Sequence, residues 1–382
     1  MRQLREGDRG AVVDMLQWGL TRARWPLRAD GVFGNKTLRA VQAFQGQNGL
    51  APDGVAGDLT WAALTPYITG QALPGRPIVP TAIRWSSDLL TLVVEGLGAR
   101  YPFLASETIG SSAMGKPIQL MRIGEGARRV GYNATHHANE WITTPLLLKF
   151  LERYAACYVR GGTLGWVPCA RLYREFTLEI VPMVNPDGVD LVTDALSHAA
   201  PEYLRAVQIA AAFPRIPFPL GWKANIEGID LNLGYPAGWE LAREIKYAQG
   251  FVTYAPRDFV GPYPLAAPES AAMYRHALQA GYELILAYHT QGELIFWRYE
   301  GFDPPGAYQL ARRMETASGY AMAETPPGSS HAGYRDWFIT RFNRPGFTIE
   351  AGRGTSPLPL SQFDQIYRDN IGILLLGMAG LL

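Results

Sequence analysis

Residues 132–141 read Tyr-Asn-Ala-Thr-His-His-Ala-Asn-Glu-Trp. His137 and Glu140 stand three positions apart, so a turn or the start of a helix places both side chains on one side. An H-x-x-E pair alone does not make a metal site, because a mononuclear catalytic zinc takes three protein ligands and keeps a fourth position open. The chain has only six histidines from which to complete the set. His289 follows the apolar run Leu284-Ile285-Leu286-Ala287-Tyr288 and therefore sits at a strand end, where α/β sheets place their ligands. Glu350 closes a similar run, Phe347-Thr348-Ile349. An acidic residue there is unfavourable unless it is solvated, paired or functional. As a general base it would take a proton from the water that the metal activates, with its pKa raised toward neutrality by a partly apolar site.

Outward from these positions, helix-like stretches such as Ser87 to Leu97 alternate with β-branched runs at Phe176 to Val184, Glu283 to Tyr288 and Phe347 to Ile349. That alternation predicts an α/β sheet covered on both faces. A length of 382 residues suits one large catalytic domain, residues 85–382, with a small module before it. With 48% apolar and 18% charged residues the chain can form a sizeable core and is not disordered. The formal net charge of +1 offers no general grip on nucleic acid or an anionic membrane. The longest apolar run, residues 371–382, is too short to span a bilayer and reads as a terminal helix docked on the core. The opening residues MRQLREGDRG lack the apolar region of a secretory signal. Cys157 and Cys169 are either free and buried or joined in one bridge. No feature specifies an oligomeric state.

Residues 1–68 contain an internal repeat. Asp30-Gly31-Val32-Phe33-Gly34 is followed by Thr37, and Asp53-Gly54-Val55-Ala56-Gly57 by Thr60. Each D-G-x-x-G is a turn, and each threonine falls where a helix N-cap is expected. Apolar spacing at Val12, Val13, Leu16 and Leu20, at Leu38, Val41 and Phe44, and at Trp61 and Leu64 predicts three short helices around one core. Residues 69–84 hold three prolines and two glycines and read as a linker, which implies that each domain owns its core.

Two family resemblances emerge. L-R-E-G-D-R-G from Leu4, Leu16-Gln17, D-G-V-F-G-N-K-T, A-V-Q-A-F-Q and D-G-V-A-G-D-L-T-W-A-A-L resemble the peptidoglycan-binding domain of bacterial wall enzymes. This resemblance covers residues 4 to 66 and implies binding to cell-wall peptide or glycan. Over about residues 85 to 380, His137 with Glu140, Asn185-Pro186-Asp187-Gly188, Gly228-Ile229-Asp230-Leu231-Asn232, His289, Asp336-Trp337 and Thr348-Ile349-Glu350 resemble the zinc carboxypeptidase family in order and rough spacing. It implies a mixed sheet flanked by helices, one Zn²⁺ per chain held by His137, Glu140 and His289, and Glu350 as the catalytic glutamate.

The departures from that family narrow the substrate. After Asn232, at the substrate-binding positions, the family's carboxylate-gripping arginine is replaced by Leu233, which cannot form a bidentate fork. The family's carbonyl-polarising arginine falls within Trp222-Lys223-Ala224-Asn225, where Asn225 is the aligned residue, and its tyrosine aligns with Gly328. These losses argue against trimming of ordinary C-terminal residues, and the intact metal set with Glu350 argues against an inactive wall-binding protein. The wording Y-N-A-T-H-H-A-N-E-W-I-T, W-K-A-N-I-E-G-I-D-L-N-L-G-Y-P and E-A-G-R-G-T-S-P-L-P-L-S-Q-F is similar to the γ-D-glutamyl-L-diamino acid endopeptidase branch. That branch cuts between D-glutamate and diaminopimelate or lysine in peptidoglycan stem peptides, which implies an enzyme associated with the cell wall or released from sporulating cells. His331, in the small-residue loop Gly328-Ser329-Ser330-His331-Ala332-Gly333, is expected to donate to the oxyanion or leaving amine, with Asn225 assisting. His136 is expected to be buried at a strand end, and His198 and His276 to lie at the surface.

Overall fold

The computed structural model describes residues 1–382 except Pro327, Ser329 and Ser330; Ser329 and Ser330 of the expected donor loop therefore lie outside the described residues. Eight strands form one mixed sheet: β1 (Ala105–Ser111), β2 (Pro117–Ile123), β3 (Arg128–Ala134), β4 (Phe176–Val181), β5 (Leu284–His289), β6 (Leu294–Phe296), β7 (Ala321–Ala323) and β8 (Gly346–Glu350). Their order across the sheet is β1-β2-β4-β3-β5-β8-β6-β7. β4, β3, β5 and β8 run parallel at its centre, with antiparallel partners β2 and β6 on either side. Every residue of β4 and β5 is buried, which is why these strands read as near-continuous apolar runs.

Alternation of side chains divides the strands between two cores. Val130, Tyr132, Leu284, Leu286 and Phe347 join one cluster, while Ile285 and Ala287 join the other. Helices α4 (Ser87–Arg100), α5 (Thr143–Val159) and the terminal Phe363–Ala379 pack into the first; Pro268–Ala280 and Tyr334–Phe342 pack into the second. Cys157 and Cys169 form a disulfide. Glu179 is a charge inside a buried strand, held by Arg122 at 2.8 Å, Arg129, His276 at 2.9 Å and Tyr282 at 2.6 Å. Burial pushes its pKa up, but these partners outweigh that and hold it at about 2. His276 is thus a half-buried partner of Glu179 and not a surface residue; His198 is exposed beside Asp194.

The N-terminal residues form α1 (Ala11–Arg22), α2 (Asn35–Gln47) and α3 (Asp58–Ile68). The repeat has a physical basis that the turn pattern conceals. Gln17 Nε2 donates to Asp30 Oδ1 (2.8 Å), Val32 O (3.1 Å) and Thr37 Oγ1 (3.1 Å), and Gln45 Nε2 donates to Asp53 Oδ1 (2.8 Å), Val55 O (3.0 Å) and Thr60 Oγ1 (3.1 Å). Thr37 and Thr60 are therefore buried acceptors one turn into their helices; the N-caps are Gly34 and Gly57. Gly31 (φ 64°) and Gly54 (φ 77°) adopt the left-handed conformation that the turns need.

Residues 69–84 do not form a loose tether. Arg22 donates to Tyr67 O (2.7 Å) and Pro77 O (2.8 Å), Arg84 donates to Asp14 (2.6 Å), and Glu152 of α5 accepts from the backbone N–H of Ile78 (2.7 Å) and Val79 (3.1 Å). Ala11 N donates to Thr193 O at 2.9 Å. One hydrophobic cluster runs from Leu16, Phe44 and Trp61 through Trp85 and Leu89 to Leu147.

Candidate active site

The chemistry gathers at the carboxyl ends of the central parallel strands, as expected for an open α/β sheet. β3 ends at Ala134 and leads through Thr135 into His136 and His137; β5 ends on His289; β8 ends on Glu350, the register partner of His289. Thr135 adopts a left-handed φ of 60°, which costs a non-glycine residue about 1–2 kcal/mol. Its hydroxyl is held by Thr143 (2.8 Å) and Thr144 (2.9 Å), fixing the bend that delivers His137. The N-P-D-G motif serves the same loop. Asn185 Nδ2 donates to His136 O (3.1 Å) and Ala224 O (3.0 Å), and its Oδ1 accepts from Gly188 N (3.0 Å). Gly188 has no room for a side chain, since a Cβ there would lie 2.8 Å from both Ala138 Cβ and Ala224 O. One asparagine and one glycine thereby lock the ligand loop to the loop carrying Lys223.

His137 Nδ1 lies 3.0 Å from Glu140 Oε1, His289 Nδ1 lies 3.0 Å from Glu140 Oε2, and the two Nδ1 atoms are 3.2 Å apart. Among the described residues these three are the group able to hold a metal ion, with one ligand atom from each within 4.8 Å of the others. Two imidazole nitrogens and a carboxylate converging on one point fit Zn²⁺, which accepts this N/O set. With Nδ1 turned to the metal position, His137 Nε2 donates to Asp230 Oδ1 (3.1 Å), the outer carboxylate that fixes a ligating ring. Burial pushes Asp230 upward, but the His137 charge and hydrogen bond hold it below the ordinary carboxylate range. Burial drives the pKa of His136 well down, and its Nε2 meets Tyr235 Oη at 3.0 Å, behind the ligands as expected for a strand-end histidine.

The cleft over the triad has a volume of about 370 Å³ and includes Lys223, Asn232, Leu233, Arg257, Arg335 and Glu350 in its walls. Lys223 Nζ donates to Glu140 Oε1 at 2.9 Å. Burial pushes its pKa down, but the charge and hydrogen bond of Glu140, with the charge of Glu350, together outweigh burial and keep the amine protonated. Desolvation, helped by the Glu140 charge, pushes Glu350 up to about 8; Lys223, His137 and Arg335 pull the other way. A carboxylate so placed can accept a proton near neutral pH.

The expected donors fall elsewhere. Asn225 is fully buried, with its Oδ1 accepting from Glu227 N (3.2 Å) and Ile229 N (3.0 Å) and its Nδ2 donating to Glu269 (3.2 Å). Its amide is consumed in holding a turn. His331 turns Nδ1 to Tyr299 Oη at 2.9 Å, and neither residue lines the cleft among those described. Asn232 and Leu233 do line it, Asn232 Oδ1 also accepting from Tyr334 N (3.0 Å). The cation missing from the expectation is Lys223, two residues before Asn225 in the same window. Its signal was a lysine among apolar neighbours in a loop that must close on the metal. Arg335 was missed because a helix start gives no indication of which way its side chain turns.

Residues 91–372 match the family described as zinc carboxypeptidase, and residues 9–64 match the peptidoglycan binding domain. The chain is 42% identical over 285 residues to gamma-D-glutamyl-L-diamino acid endopeptidase 1 of Lysinibacillus sphaericus, covering 75% of this chain and 70% of that protein. It is 38% identical over 278 residues to the uncharacterized protein YqgT of Bacillus subtilis, covering 72% of each. In fold it is similar to bovine thrombin-activatable fibrinolysis inhibitor, with a TM-score of 0.60 at 18% identity over 78% of this chain and 97% of that one.

Proposed function

The chain belongs to the zinc carboxypeptidase family, and from that premise we propose that it hydrolyses the γ-D-glutamyl–diamino acid bond of peptidoglycan stem peptides. The observation that carries the reading is the joining of the two halves. A peptidoglycan-binding domain packs through a continuous core onto the body whose cleft holds His137, Glu140, His289 and Glu350. Leu233 in the cleft wall supports an endopeptidase over a carboxypeptidase, because leucine cannot clamp a terminal carboxylate. A wall substrate places the enzyme at the wall, or outside after release from sporulating cells, and the disulfide suits such oxidising surroundings.

Bound zinc supplies a Lewis acid for the scissile carbonyl and lowers the pKa of the attacking water. Glu350 takes the proton of that water and returns it to the leaving amine. Lys223 faces the same space with a fixed positive charge and stabilises the oxyanion in place of His331 and Asn225. Asp230 and Asn185 hold His137 and the Lys223 loop in register. Among the described residues no helix is long and apolar enough to cross a membrane.

The test is mass spectrometry of L-Ala-γ-D-Glu-diaminopimelate after incubation with the purified full-length chain. Release of L-Ala-D-Glu and free diaminopimelate is expected, lost with a chelator and restored by zinc. Release of C-terminal residues from ordinary peptides, with no cleavage of the γ-bond, would reject the reading.

A further inference from the structure

Asp258 sits in a constrained conformation behind the metal triad, and no step of the chemistry above uses it. Its backbone adopts a left-handed φ of 67°, which is unfavourable for most residues other than glycine and which aspartate tolerates better than most. Two cations grip its carboxylate. Lys246 Nζ donates to Oδ1 at 2.6 Å, and Arg257 Nε donates to Oδ2 at 2.6 Å. Lys246 comes from the last turn of the helix Trp239–Ala248 and is only 5% exposed. One cation is the chain neighbour and the other belongs to a separate helix, so the residue is held from two directions.

The turn fixed by this grip aims the Asp258 N–H at Asp230. That N–H donates to Asp230 Oδ2 at 3.1 Å. The other oxygen, Oδ1, accepts from His137 Nε2 at 3.1 Å and from Asn232 N at 3.2 Å. Asp230 is 3% exposed, and its own N–H donates to Phe259 O at 2.8 Å, so its backbone and its carboxylate are tied to the same short segment. With both oxygens engaged, the carboxylate cannot turn about its Cβ–Cγ bond without breaking a hydrogen bond in a buried site. The segment also braces the opposite side of the triad: Pro256 O accepts from Lys223 N (2.8 Å) and Ala224 N (2.9 Å).

We infer that Asp258 is a positioning residue of the metal centre: gripped by Lys246 and Arg257, it holds its N–H on Asp230, and Asp230 in turn holds the His137 ring with Nδ1 toward the metal position. An outer carboxylate fixed in this way orients the ligating imidazole and raises its basicity, and both effects strengthen its hold on the ion. The inference rests on the zinc triad and not on the bond that the enzyme cuts, so it stands or falls apart from the proposed substrate. A role confined to fastening the helix to the loop makes a different prediction. In that case the effects of Asp258 and Asp230 on zinc are independent, whereas an action through Asp230 vanishes once Asp230 is gone.

The test is the zinc dissociation constant of the full-length chain, measured by competition with a chromophoric chelator, with thermal melts of each zinc-free variant as a control on folding. Asp230→Ala should weaken zinc binding by about 10–100-fold, the scale on which outer partners of a ligating histidine act. Asp258→Asn keeps a side chain that tolerates the left-handed turn but loses the charge that both cations grip, and should weaken zinc by about tenfold. Asp230→Ala/Asp258→Asn should bind zinc within about threefold of Asp230→Ala alone. Asp258→Asn leaves Lys246 as an unpaired buried charge. Should that variant fail to fold, Lys246→Met/Asp258→Asn removes the charge from both partners and should show the same loss of zinc, again absent when Asp230 is already alanine. Zinc affinity within about threefold of wild type in the folded Asp258 variants, or losses that multiply when combined with Asp230→Ala, would overturn the inference. A wild type without tight zinc binding would reject the metal centre itself and this inference with it.

Discussion

Replacing Lys223 tests the catalytic geometry most directly. The amine lies 2.9 Å from Glu140 Oε1 at the metal triad, and its side chain is only 18% exposed. Two opposite charges about 4 Å apart interact by about 4 kcal/mol at an effective dielectric constant of 20. Loss of one oxyanion donor costs about 2.7–4 kcal/mol, or about 10²–10³ in kcat. The two estimates agree, so Lys223→Met should lower kcat by about 10²–10³-fold with little change in KM. Zinc should stay bound, because removing a cation beside Glu140 makes the ligand site more negative. Lys223→Arg should recover part of kcat. Asn225→Ala should lower Tm, since its amide holds the turn 225–229, yet reduce kcat far less. Steady-state kinetics on the stem tripeptide, with elemental zinc analysis and thermal melts on each variant, separates these outcomes. If Lys223→Met kept kcat within about threefold of wild type, the oxyanion donor would lie elsewhere. If it lost zinc, Lys223 would be a support of the metal site.

Glu350→Gln should keep zinc and fold while kcat falls by roughly 10²–10⁴-fold; near wild-type turnover would assign the base to another group. The same variant has a stability signature in the zinc-free protein: with its pKa raised from 4.5 to about 8, Glu350 contributes stability below pH 4.5 that is lost as pH rises through 8. Melts of zinc-free Glu350→Gln should therefore decline less between those pH values than melts of the wild type, and parallel profiles would contradict the raised pKa. Deleting residues 1–68 should lower Tm by more than about 5 °C or cause aggregation, because it uncovers Trp85 and Leu89 and removes the partner of Arg84; an unchanged Tm would show two independent cores.

The fold was legible where backbone periodicity and burial coincide. β4, β5 and β8 are wholly or nearly buried, so their apolar runs announced both the strands and the unusual charge at the end of β8. The metal ligands were legible because one pair stands three residues apart and the third ends a strand. The rest depended on which way loop side chains turn, and loops have no period. Lys223 and Asn225 lie two positions apart in one loop, and the amide of Asn225 is drawn inward by two backbone N–H groups while Lys223 is left facing Glu140. The packing of residues 69–84 was not legible for a related reason. Proline and glycine report that a segment cannot be helix or strand; they do not report that it is free. What pins Ile78 and Val79 is the carboxylate of Glu152, 74 and 73 positions away in sequence. A long-range acceptor of that kind leaves no mark in the segment it holds. The consequence reaches the proposed function: if the N-terminal module binds the wall, sharing its core with the peptidase would fix the distance from wall to cleft, whereas a tethered module would only raise the local concentration of enzyme there.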